Sequence, residues 1–318
     1  MIVAAARVLP ASERRHGRFD APGALLATLG TGALVVGTIE SGTRGWTSPV
    51  TVSGLAAGVI LLVALVVNES RAAHPIIPLR LFRSRERGGA YAARALCLGA
   101  MIGFFFFTTQ YLQDVLGLSP LQAGLGFLPM TVVNFVVAMA VPRLSDRLPG
   151  PALLTAGVVA TLVGMAWLSR LDVADAYLTA VALPMLLVGA GQGLAFAPLT
   201  SSGIAGVRPE GAGAASGLLN TAHQIGMALG LGILVAVSAN AGDGRLDGAA
   251  RTTAHVTAAL TGSTVLLALA LVVVLTVIVP ARRPTSDPRS PAAASHELVE
   301  TAGSVRSPEA ALPATPTR

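Results

Sequence analysis

Lysine is absent from this 318-residue chain, cysteine occurs once, and charged residues make up only 12% of it. Each shortage excludes something. The single cysteine, Cys97, lies in an apolar run and can form no disulfide within the chain. The five histidines (His16, His74, His223, His255, His296) are scattered, none at ligand spacing to another histidine or to the cysteine, so neither a metal nor a cofactor is expected. Soluble domains carry about 25% charge. With 53% hydrophobic residues, this chain has too little polar surface to cover a water-soluble fold. A soluble all-α repeat would need polar helix faces, and residues 258–279 have almost none. Enzyme signatures are missing as well: there is no phosphate-binding Gly-Lys loop, no His-Glu-x-x-His and no nucleophile elbow. No enzyme is expected.

What the chain does have is apolar length. A helix rises about 1.5 Å per residue through a hydrocarbon core about 30 Å thick, so about 20 apolar residues cross it. Eight such stretches occur, near 22–41, 50–68, 91–113, 120–142, 151–169, 176–199, 214–237 and 258–280. The expected fold class is an all-α polytopic membrane helix bundle with about eight transmembrane helices.

The arginines orient it. With the N-terminal loop in the cytoplasm, the inner loops hold 17 of the 22 arginines and the outer loops four, Arg44, Arg170, Arg245 and Arg251; Arg94 falls inside a span. That asymmetry places both termini in the cytoplasm of a cell-membrane protein. Trp46, Trp167, Tyr111 and Tyr177 fall near outer ends, where amphipathic rings anchor among headgroups. The net charge of +6 is therefore a topology signal, and no basic stripe with stacking aromatics points to nucleic acid.

Polar groups inside hydrocarbon are expensive and mark packing or function. In span seven, at 100° per residue, Ser216, Asn220, His223, Gln224 and Met227 share an arc of about 100°, with Leu218, Ile225 and Leu229 opposite. This face must meet protein or water. Two readings stand: interhelical hydrogen bonding, or the wall of a substrate or proton cavity. His223 favours function, being the histidine inside a span and titrating near neutrality. Gly226 and Gly230 beside the arc allow a close helix approach. Gln110, Gln113 and Asp114 share a face at the end of span three, Asn134 lies in span four, and Gln192 lies in span six between Gly191 and Gly193. The run Gly-Ala-Gly-Gln-Gly at 189–193 lacks the strand a nucleotide loop needs and reads as close helix packing. Glu40 and Arg44 suit the outer headgroups, and Arg94 is expected to snorkel to the inner surface. No acid lies at the middle of a span. The cavity candidates are Gln110, Asn134, Gln192, Asn220, His223 and Gln224.

The ends differ in kind. Residues 1–9 are apolar but too few to span, and read as the last turns of a preceding helix emerging into a cytoplasmic loop by residue 20. Residues 281–318 are rich in Pro, Ser, Ala, Thr and Arg, cannot bury enough surface to offset ordering entropy, and read as a disordered cytoplasmic tail.

Several segments together resemble the major facilitator superfamily, in particular its fourteen-helix drug/proton antiporters. They are residues 109–129, residues 189–198 followed by 211–226, the connector Gly45-Trp46-Thr47-Ser48-Pro49, and the run through Glu69, His74-Pro75 and Pro78-Leu79-Arg80-Leu81-Phe82. The resemblance implies a C-terminal half of that fold plus two linker helices: 21–69 as linkers, 70–90 as a cytoplasmic loop, and 91–280 as six helices in inverted repeats 91–169 and 176–280. It also implies a gating loop at 142–150 with Arg143, Asp146 and Arg147 as candidates, of which Asp146 and Arg147 stand where the family places its latching charge pair. Pro142 stands in place of the leading glycine, Gly150 comes one residue late, and the trailing basic residues are missing. His223 stands where the family often has arginine. The expected activity is proton-coupled efflux of drugs or other amphipathic small molecules, with the bilayer, substrate and protons as partners. The alternative is a truncated or split half-transporter, inactive on its own and working beside a missing or separately encoded six-helix N-terminal half.

Overall fold

The computed structural model describes residues 20–71, 79–208, 211–239, 241, 246 and 248–281. Eight helices there are long and apolar enough to cross a membrane. They are α1 (Ala21–Arg44), α2 (Pro49–Arg71), α3 (Arg85–Val115), α4 (Pro120–Ser145), α5 (Gly150–Leu168), α6 (Tyr177–Gly203), α7 (Ala212–Ala239) and α8 (Gly248–Ala281). No strand occurs among the described residues. The protein is an all-α polytopic bundle.

Local chemistry sets the ends. Asp20 caps α1, its carboxylate accepting the Gly23 N–H at 2.9 Å, and the same carboxylate accepts from the Asn68 amide at 3.0 Å. One residue thus starts α1 and fastens the end of α2 to it. Gly45, at φ 82°, makes the turn between them, a backbone region that suits glycine. Ser84 caps α3 through the Arg87 N–H. Ser119 and Gln122 form a reciprocal capping box, with Pro120 in the first turn of α4. A turn at Phe127, followed by Pro129, breaks the regular course of α4.

Small residues set the packing. In lipid, apolar surface gives helices little reason to associate, so close van der Waals contact must do more of the work. Gly226 and Gly230 of α7 lie against Ala95 and Gly99 of α3, and a Cβ at Gly99 would stand 2.8 Å from the Gly226 carbonyl. In α6 the three glycines split between two neighbours. Gly189 and Gly193 meet Met130 and Asn134 of α4, while Gly191 meets Gly157 and Thr161 of α5. The run at 189–193 is a packing device. The bundle's centre is α3, which packs on α6, α7 and α8 through residues such as Ala93, Ala100 and Phe104, while Leu260 and Leu267 of α8 are equally buried. The α1–α2 hairpin joins the bundle through α1, where Thr38 meets Gly232 of α7.

Three expectations change. Helix α3 starts at Arg85 and α8 at Gly248, ahead of the expected 91 and 258. Hydropathy sees only the apolar part of a helix, whereas backbone hydrogen bonding continues through polar turns such as Arg85–Ala90 until a cap stops it. Tyr111 does not anchor at the interface: it is fully buried, and its hydroxyl donates to the Asp172 carbonyl at 2.6 Å. A tyrosine that finds an acceptor inside the protein loses its reason to seek headgroups. Tyr177 likewise donates to the Gly126 carbonyl at 2.7 Å, whereas Trp46 and Trp167 remain about half exposed, as an interfacial ring would. The expectations for residues 1–19 and 282–318 fall outside the described residues.

Candidate substrate face within the membrane

Helix α7 carries the sequence's clearest polar stripe, and the bundle leaves that stripe uncovered. Ser216, Asn220 and Gln224 are exposed together with Gly217 and Thr221, while Ala215, Leu218 and Leu219 turn into the bundle and are buried. The split follows from the packing: the Gly226–Gly230 edge is drawn onto α3, which rotates the amides away from it. Asn220 and Gln224 therefore do not serve as glue within this bundle. Asn134 does: its amide donates to the Gly189 carbonyl of α6 at 3.4 Å. Gln110 stands elsewhere again, on the outward flank of α3, where Ile102, Phe105, Phe106, Thr109, Gln113 and Asp114 join it around a cavity of about 440 Å³. The helix widens just beyond, at the π-helical turn Tyr111–Val115, a distortion common at functional sites. A separate cavity of about 600 Å³ lies at the ends of α5 and α6, lined by Trp167, Arg170, Asp175 and Thr179 among others, away from all six candidates.

His223 leads to a residue the sequence reading misplaced. Its Nδ1 lies 3.4 Å from Arg94 Nη2. Arg94 does not snorkel. It is 5% exposed, its Cζ lies 4.0 Å from the centroid of the Phe196 ring, and Nη1 donates to Thr200 Oγ1 at 3.4 Å. Arginine has no acceptor, so this contact requires an unprotonated Nδ1 on His223. The misplacement has a simple origin. Distance from the end of a span says nothing of neighbours, and here Phe196 and His223, more than 100 residues further along, enclose the guanidinium. A guanidinium shut away from water is costly to bury. Stacking on Phe196 offsets part of that, since a guanidinium is drawn to an aromatic face. Gln192 looks into the same region, sharing a cavity of about 10 Å³ with Arg94, Cys97 and Thr161, room for about one water. Of the six candidates, the structure brings His223 and Gln192 toward one point, Arg94, and keeps Gln110 and Asn134 apart from it.

The gating-loop candidates show no latch within the chain. Arg143, Asp146 and Arg147 are exposed at the α4–α5 turn and form no ion pair among the described residues. At the other end of the molecule, Glu40 and Arg44 do pair, at 2.6 Å.

A bundle of eight membrane-length helices is that of a polytopic membrane protein. The chain belongs to the Major Facilitator Superfamily, whose family model matches residues 3–231. It is a transporter-family chain. Among curated relatives it is 39% identical over 256 residues to the cephamycin export protein CmcT of Amycolatopsis lactamdurans, covering 79% of this chain and 52% of that protein. It is 36% identical over 244 residues to the puromycin resistance protein of Streptomyces alboniger, covering 74% and 48%. It is 32% identical over 233 residues to the tetracenomycin C resistance and export protein of Streptomyces glaucescens, covering 73% and 43%. The chain thus spans about half the length of the curated relatives it matches.

Proposed function

We propose that the protein works in proton-coupled export of drugs or other amphipathic small molecules across the cell membrane, with both termini in the cytoplasm. The observation that carries the reading is the uncovered amide face of α7, a helix long and apolar enough to cross a membrane. Hydrocarbon would penalise it, so it belongs against water, cargo or a second bundle. The printed roles of the relatives, cephamycin export and puromycin resistance among them, support the same class of activity. In this reading residues 21–69 are linker spans, 70–90 a cytoplasmic loop, and 91–280 a six-helix bundle of inverted repeats that faces another six-helix bundle across the substrate path. Arg143, Asp146 and Arg147, exposed at a helix turn, suit a latch to that second bundle.

Accumulation of a fluorescent amphipathic cation in intact cells tests the reading. Cells expressing this chain alone should accumulate dye like controls. Cells expressing it joined to the part of the cephamycin export protein that lies outside the matched 52% should accumulate less, and a protonophore should abolish the difference. Efflux by the chain alone would overturn the half-bundle assignment. Failure of both forms across a panel of amphipathic compounds would overturn the export reading.

A further inference from the structure

We propose that the Nε–Nη2 edge of Arg94 receives the carboxylate of an amphipathic organic anion, so that organic monocarboxylates are among the cargo of this bundle. The inference rests on reading α3, α6 and α7 as walls of the substrate path and adds the chemistry of one position in it.

Arg94 is a buried cation without a counter-anion. Among the described residues it makes no ion pair. Its Nε–H is buried and has no hydrogen-bond partner. The Phe196 ring covers the plane of the guanidinium and leaves the in-plane N–H groups as the remaining donors. Nη1 is committed to Thr200, while Nη2 has a long contact of 3.4 Å to His223. What is left is the side-on pair of donors, Nε and Nη2, whose fork matches the two oxygens of a carboxylate.

The surroundings select the class of anion. One guanidinium supplies one positive charge, and the side chains that touch it, Thr200, His223 and Phe196, add no second cation to it. That suits a monoanion and leaves a dianionic phosphate or sulfate undercompensated. Phe196, 49% exposed, offers an apolar surface beside the charge for the ligand's aryl or alkyl portion. The inner cavity next to Arg94, at about 10 Å³, is too small for a carboxylate. The ligand therefore approaches from the open side of α6 and α7, turning the partly exposed His223 or Phe196 aside.

Equilibrium binding of 2-naphthoate and its neutral isostere 2-naphthamide to the purified full chain in lipid nanodiscs tests this. The intact protein should bind naphthoate at least about tenfold tighter, because charge-assisted hydrogen bonds are about twice as strong as neutral ones. Arg94→Gln should erase that preference. Arg94→Lys should keep a reduced preference, having charge without the fork. Equal affinity of the intact protein for both probes would overturn the carboxylate inference and leave the cavity reading standing; this comparison needs no variant to fold. Retention of the preference by Arg94→Gln would overturn it too. Binding of neither probe would overturn the cavity reading and the inference together.

Discussion

Tyr111 carries a polar atom into a fully buried position and loses little by it, because the Asp172 carbonyl accepts its proton at 2.6 Å. Tyr111→Phe deletes the donor but leaves the carbonyl of an exposed loop free to meet water. The expected loss is about 1 kcal/mol, read as a lowered midpoint in detergent unfolding. Asp146 is the opposite case, a carboxylate exposed and without an ion pair among the described residues. Asp146→Asn should leave the midpoint within about 0.5 kcal/mol, as for ordinary surface changes. A larger fall would reveal a contact made within the chain. If the gating-loop proposal is right, the same substitution should still impair transport in an assembled exporter.

Between helices, glycine decides what meets what. A side chain at Gly230 would collide with the backbone of Gly99, whereas a Cβ at Gly217, on the open face of the same helix, meets nothing within 4 Å. Gly230→Leu should separate α3 from α7 and remove most folded protein from size-exclusion profiles, while Gly217→Ala should leave the profile unchanged. The uncovered stripe makes a second prediction possible because the chain has one native cysteine, Cys97, which is buried. A hydrophilic thiol reagent should leave the native protein unlabelled and modify Asn220→Cys; no reaction at that position in folded protein would place α7 in another rotation. Much of this scale was legible beforehand. The 3.6-residue period grouped Ser216, Asn220 and Gln224, and the glycine spacing marked the edge that packs. The enclosure of Arg94 was not legible, because the residues that cover it, Phe196 and His223, come from helices far along the chain.

For the whole molecule, the arginine asymmetry makes a prediction independent of any contact. Read as positive-inside, it puts the C-terminus in the cytoplasm, so an epitope there should be digested by protease only after cells are permeabilised. Digestion in intact cells would invert the topology. The exposed apolar side chains of α4, among them Leu121 at 74%, Phe135 at 63% and Met139 at 64%, are what a lipid-facing or bundle-facing helix leaves uncovered. They suit the lipid contact of a helix long and apolar enough to cross a membrane.

The residue pattern alone determined the solvent, the number of crossings and the polar stripe on α7, because each follows from local quantities: runs of apolar residues, their period, and the sign of the charge between them. The tertiary structure decided which polar groups are packing and which are open. Asn134 bonds the Gly189 carbonyl, Asn220 and Gln224 face outward, and Arg94 meets His223 and Phe196 from helices more than 100 residues away in the chain. Such contacts depend on how far one helix slides and turns against another, and that is set by close-packed glycine edges acting together across the bundle.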